Sequence, residues 1–382
     1  MTGQARVWMG VSIAIVAAFL ATTATYYHPG SGLTAFIGFP ADSHHTEIPA
    51  VQSAPHVDDE TSGGYDGQFY AQFAVDPLLR DPAIDGAMDL APYRARRILL
   101  SWAAWAAGLG QPARVLQAYA VSNVVCWLAL AWLLTRWIDP RTPRGAALWA
   151  GALLSHGALS SVRYALTDLP GALLVTAAIA VLEGGRPLAA AVVLGAAGLA
   201  RETMTLAAAM FVTRLRRRPA SWLLVATCLL VTVLPLLLWI DYLRSIYRSL
   251  AFAGGDHITL PLTGVWWKLR MTASGWAAPG YATVASTLAL ASLVAQAGIV
   301  LRGLGRSAGP WAWAAAPFVA LALVSHPVIW TGAPGAFTRV LLPLAIGANV
   351  LLARETRAPW WLIVLANLGV IPGVLLFAFG WA

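Results

Sequence analysis

The chain has 382 residues, of which 59% are hydrophobic and only 11% charged, with a mean hydropathy of +0.67. Soluble domains carry about 25% charged residues, so this composition excludes a soluble globular protein and indicates an all-α polytopic membrane protein. The net charge of +8 is almost entirely arginine, Lys268 being the only lysine, and the arginines sit in short loops between apolar runs, an orientation signal and no nucleic-acid surface.

The first apolar run, Val7 to about Tyr27, follows Arg6 and reads as a span. Its apolar core is long for a cleaved signal peptide. The segment 28–113 follows as a long first outer loop, and between His28 and Pro92 it carries ten of the 17 acidic residues. Acids cost several kcal/mol in hydrocarbon, so they collect where water is. Within the loop, Tyr65, Phe69 and Phe73 recur every fourth residue, which predicts a short amphipathic helix lying on the membrane surface. Ile98–Leu109 is apolar but has twelve residues, whereas a crossing needs roughly 20. It is read as an interfacial or re-entrant helix, broken by Gln111-Pro112.

Arg114 to Trp137 is the second span. Further spans are predicted near 146–160, 170–183, 188–200, 203–213, 221–241, 281–301, 311–325, 338–352 and 359–379. With the N-terminus inside, the short basic loops all fall on the cytoplasmic side: Arg136, Arg141 and Arg144, then Arg186, Arg214 to Arg218, Arg302 with Arg306, and Arg354 with Arg357. Counting Ile98–Leu109 as a crossing would break this agreement, so the positive-inside rule favours about eleven spans, N-in and C-out. Residues 1–382 thus form one integral domain in a bacterial-type inner membrane. Cys126 and Cys228 lie in apolar runs, which argues against a disulfide or thiolate metal site.

The same parity sends a second set of charges outward: Arg94, Arg96 and Arg97; Arg163 and Asp168; Arg201 and Glu202; Asp256, His257, Lys268 and Arg270; His326 and Arg339. Together with Asp58, Asp59, Glu60 and Asp66 they could line one outward cavity. A carboxylate there can take a proton from an attacking hydroxyl, and arginine can hold a phosphate leaving group. Each residue also has a plainer reading. Asp66 before Gly67 could cap a helix, and Asp168 could cap a span. Arg201-Glu202 could be a local ion pair, Arg339 could snorkel to the interface, and Trp266-Trp267 suits an interfacial belt. Asp58-Asp59-Glu60 could be simply solvated. His28, His44, His45 and His56 share the loop, but their spacing fits no metal motif.

The run Tyr65-Asp66-Gly67-Gln68-Phe69-Tyr70 resembles the aromatic-Asp-x-x-aromatic signature after the first span of mannosyltransferase-like branches of the GT-C superfamily of polytopic glycosyltransferases. The layout, a first outer loop with two surface helices, is also similar to that family. Leu199-Ala200-Arg201-Glu202-Thr203 and Arg339-Val340-Leu341-Leu342-Pro343 resemble recurring outer-face positions of such enzymes.

The resemblance implies a GT-C-like fold and an inverting enzyme. It would move a sugar from a polyprenyl-phosphate donor to a lipid- or glycan-linked hydroxyl on the outer face. It places the base on Asp66 and phosphate contacts on Arg201 and Arg339. Substrate contacts are expected from Tyr65, Gln68, Tyr70, Arg97, Arg163, Asp168 and Glu202. Asp66 lies some 40 residues beyond the first span, farther than in many members, so Asp58 and Asp59 stay open as a rival acid pair and as ligands for a divalent metal. Other readings are a transporter or flippase of lipid-linked sugars, and a non-catalytic subunit of an envelope-polymer assembly.

Overall fold

The computed structural model describes residues 3–41, 47–59, 63–213, 221–247, 257–306 and 309–380. His44, His45, Glu60, Arg214 to Arg218 and Asp256 lie outside the described residues.

The protein is largely helical. Numbering the helices of seven or more residues in chain order gives α1 Gly3–Ala24, α2 Gly67–Val75, α3 Leu99–Ala107, α4 Pro112–Leu134, α5 Pro143–Leu153, α6 His156–Arg163, α7 Asp168–Glu183 and α8 Pro187–Ala200. A 3₁₀ stretch, Glu202–Phe211, comes next. Then follow α9 Trp222–Ile246, α10 Thr263–Gly275, α11 Tyr281–Arg306, α12 Pro310–Val324, α13 Leu342–Arg354, α14 Trp360–Ala366 and α15 Val370–Phe379. Proline at the first turn starts α4, α5, α8 and α12, where its fixed φ suits the helix and its missing N–H costs no bond.

Among the described residues four helices, α1, α4, α9 and α11, are long and apolar enough to cross a membrane, and α14 with α15 makes a fifth if that pair, bent by 46°, is one span. The expectation of about eleven spans is therefore met only in part by long helices. The predicted span 146–160 is two helices, α5 and α6, separated at Leu154-Ser155. The predicted span 203–213 is mostly 3₁₀. The helix α7 has 16 residues, about 24 Å at 1.5 Å per residue, short of the roughly 30 Å of a hydrocarbon core.

On α9, Trp222, Leu223, Leu237 and Leu238 are exposed. Such a continuous apolar surface, on a helix whose backbone bonds are internal, is one that lipid can cover. The inner bundle packs α8 between α7 and α9, and α13 against α11 and α12.

Charged loop residues collect in two clusters. In one, Arg354 pairs with Glu183 at 2.8 Å, Arg136 approaches the same carboxylate at 4.0 Å, and Arg302 lies 3.7 Å from Glu355. Arg144 donates to the carbonyls of Leu352, Glu355 and Ala358 in the same region. These loops are the ones the positive-inside argument puts together. The other cluster holds Asp66, Arg94, Asp168, Arg201 and Arg339.

The described part of the segment between α1 and α4 is a packed cap. Phe36, Ile37, Phe39, Ile48 and Val51 are buried, and a short parallel pairing joins Phe39-Pro40 to Asp58-Asp59. The helix α2 corrects the expectation of a surface-lying amphipathic helix. Seven of its nine residues are buried, and it packs on α3 and α4. Phe73 is fully enclosed, so its apolar face meets protein. The helix α3, with nine residues, is about 14 Å long, too short to cross. It turns back through Gly108–Gln111 into α4, as its length predicted.

Candidate functional site

Asp66 stands immediately before α2, where a carboxylate usually caps the free N–H groups. Its side chain makes no cap bond, which sets aside the plainer reading. Instead Oδ1 lies 2.9 Å from an Arg94 nitrogen and Oδ2 accepts from Arg339 at 2.9 Å. Arg94 ends the single turn Ala91–Arg94, and Arg339 sits in the turn Phe337–Val340 ahead of α13. Burial alone would push the Asp66 carboxyl up, but Arg339 and Arg94 outweigh it and hold it well below the usual carboxylate range.

The flanking glycines have a steric cause. Gly64 has φ +83°, open to glycine at no cost. A Cβ on Gly67 would lie 2.3 Å from the Tyr164 carbonyl oxygen and 2.7 Å from that of Ile37. The backbone of Asp66 can therefore press against two other segments only between these residues.

Behind the central carboxylate lies a second layer. Asp168, fully buried, pairs with Arg201 at 2.6 Å and reaches Arg339 at 3.6 Å. Arg97 grips Glu202 with two bonds of 2.9 and 2.8 Å and donates to the hydroxyls of Tyr70 and Tyr93, each at 2.7 Å. Two-point geometry of this kind is the strong form of the pair. Burial opposes ionisation of Glu202, yet Arg97 draws its carboxyl down to about 2. Arg201 and Glu202, neighbours in sequence, thus serve different partners, which corrects the expectation of a local ion pair.

A cavity of about 580 Å³ opens beside Asp66. Of the residues anticipated for the site, Tyr65, Asp66, Gln68 and Arg339 line it. Tyr65 stacks on Tyr164 with centroids 4.0 Å apart, and Arg339 lies over the Tyr65 ring at 5.5 Å. Tyr70, Arg97, Asp168, Arg201 and Glu202 do not line the cavity, and of these Asp168 reaches the lining residue Arg339. Arg163 lies to the side, over Tyr26 at 4.8 Å and bonded to the Ala35 carbonyl. Among the described residues Asp58 and Asp59 do not line the cavity. Asp58 instead lies beside His56 and Glu47.

Four features of the site were not singled out from sequence. Arg94 was read only as one of several outward charges, yet it is half of the clamp on Asp66. The rim formed by Thr331–Ala336 could be placed outward by parity, but its contact with the cavity depends on packing. His156 and Ser160 sit inside a predicted span and line the cavity. The Thr338 hydroxyl donates to Gly335 and is 2.9 Å from His156 Nδ1, so the ring donates from Nδ1. The fourth is Lys268, whose ammonium donates to the Gly332 carbonyl at 2.8 Å. It lines a smaller cavity of about 170 Å³ with Thr272, Thr283 and Ser286, and Gly332 borders both cavities. Burial draws the Lys268 ammonium down to about 8.

Comparison of this chain with family models, with curated proteins and with solved structures returned no match.

Proposed function

We propose that the chain is a membrane glycosyltransferase that moves a sugar from a polyprenyl-phosphate carrier to a hydroxyl of a lipid- or glycan-linked acceptor. The observation that carries this reading is the Asp66 carboxylate, held between Arg94 and Arg339 on the wall of a cavity of about 580 Å³. The aromatic-Asp motif around it, with its resemblance to GT-C enzymes, points the same way. The reaction belongs to the outer face of a bacterial-type inner membrane, with the N-terminus in the cytoplasm.

The chemistry is a single displacement. The acceptor hydroxyl gives its proton to Asp66 as its oxygen bonds to the anomeric carbon. The bond from that carbon to the phosphate oxygen breaks, and polyprenyl phosphate leaves with the electron pair. The anomeric centre inverts. In the resting site Asp66 is a weak base, because two guanidiniums stabilise its charged form. A donor phosphate entering the cavity competes for those guanidiniums, and Asp66 regains basicity as they turn to the phosphate. Binding of the donor thereby prepares the base. The stacked Tyr65 and Tyr164 rings give one wall a flat apolar surface suited to a sugar face.

The test is the Asp66→Asn variant, which keeps shape and removes basicity. Transfer should fall by roughly 100-fold or more, and mass spectrometry of co-purifying lipids should find lipid-linked sugar enriched over wild type. Near-normal transfer in this variant, with no such enrichment, would rule the reading out, and a non-catalytic assembly subunit predicts that outcome.

A further inference from the structure

Apart from the main cavity, one group of side chains among the described residues has the donor set and spacing of a metal centre. Glu47, His56 and Asp58 offer ligand atoms that all lie within 4.8 Å of one another. His56 Nε2 is 3.2 Å from Asp58 Oδ1 and 3.6 Å from Glu47 Oε2. Bonds of about 2.0–2.2 Å around a tetrahedral ion put neighbouring ligand atoms about 3.3–3.6 Å apart. The 3.6 Å distance falls at that spacing and the 3.2 Å distance just below it.

The orientation of the ring is fixed from outside the group. His56 Nδ1 lies 2.8 Å from the Ala54 carbonyl oxygen, which can only accept, so Nδ1 carries a hydrogen. In the neutral ring Nε2 then presents its lone pair towards two carboxylates. Three acceptors facing one point are stabilised by a cation at that point. A backbone carbonyl holding the far nitrogen is the usual outer contact of a metal-bound histidine. The Glu47 side chain is fully buried and that of His56 is 6% exposed.

We propose that Glu47, His56 Nε2 and Asp58 bind a divalent ion of the zinc class, with water completing the shell. One imidazole and two carboxylates form a donor set such an ion accepts. Its role is structural. The site closes the segment 47–58, and that segment is tied to α2 by the bond from the Ile48 N–H to the Gln72 side chain at 2.9 Å. The ion therefore pins the outer cap to the helix that begins beside Asp66. Asp59, the other half of the acidic pair, is no part of the set. The proposal does not depend on the glycosyltransferase reading.

The test uses the full-length protein in detergent, purified without chelator and analysed for metal by mass spectrometry. Wild type should carry zinc or a related ion near one equivalent, or take it up when supplied as zinc chloride. His56→Gln should lose at least about tenfold in metal affinity, whereas His28→Gln, at an exposed position, should not. Chelator should lower the thermal midpoint of wild type and leave that of His56→Gln unchanged. Should His56→Gln fail to fold, cobalt titrated into chelator-stripped wild type should give the visible absorption of a tetrahedral site. Wild type that neither carries nor takes up metal and gives no cobalt band would overturn the proposal. Metal content unchanged in a folded His56→Gln variant would overturn it as well.

Discussion

Breaking the pair between Arg97 and Glu202 isolates the layer that supports the site. The perturbation is Glu202→Gln, which keeps the side-chain length and removes the charge. Two charge-assisted bonds, at 2.9 and 2.8 Å, are lost or weakened. Breaking a buried pair costs about 3–5 kcal/mol, and glutamine still offers one oxygen to Arg97, which restores about 1 kcal/mol. The Arg97 side chain is 4% exposed and cannot turn to water, while the Glu202 side is 25% exposed and admits some. The expected destabilisation is therefore about 2–3 kcal/mol. Arg97 also bonds the Tyr70 hydroxyl, and Tyr70 lies on α2 one turn from Asp66. Transfer should fall as well, by less than in Asp66→Asn, because no cavity-lining group is removed. The assay is a double-mutant cycle with Arg97→Met, read by denaturation of the purified protein followed through tryptophan fluorescence. The double variant should recover about 2 kcal/mol relative to the sum of the single effects. Strictly additive effects, or a silent Glu202→Gln, would refute the claim that this pair holds the layer together.

Other outcomes follow from the same geometry. Arg339→Lys should weaken transfer markedly while leaving the protein folded, because lysine lacks the planar fork that reaches Asp66 and Asp168 together; unchanged donor affinity and turnover would return Arg339 to a packing role. The Asp66 and Glu202 carboxyls are both depressed in the folded protein, so their stabilisation is complete above the unfolded carboxylate range near pH 4 and is lost as pH falls through the folded values. Thermal midpoints should thus be level between pH 7 and 5 and decline below about pH 4, and a decline already present between pH 7 and 5 would contradict this assignment. In a background without Cys126 and Cys228, a cysteine at Arg141 should react only with membrane-permeant reagents and one at Asp85 with impermeant ones. Labelling of position 141 from outside would reverse the orientation.

Composition and hydropathy alone determined the membrane class and the helical architecture, because a medium without water admits few other solutions. Charge alternation along the chain was enough to separate the basic loops around Arg136, Arg144 and Arg354 from the set around Asp66. The twelve apolar residues at Ile98–Leu109 were too few to cross, and the length of a helix is fixed by its rise per residue. The number of long spans was not legible, because short apolar helices shielded by neighbours carry the same hydropathy as true crossings. Nor was the burial of α2, since an apolar stripe reads the same whether protein or lipid covers it. Most of all, sequence could not pair the charges. Asp66 meets Arg339 across 273 positions, and Arg201 and Glu202 turn to separate partners, Asp168 and Arg97. Proximity along the chain says little about which guanidinium reaches which carboxylate. That was decided by the packing of α2, α7 and the turn before α13, which brings these side chains together.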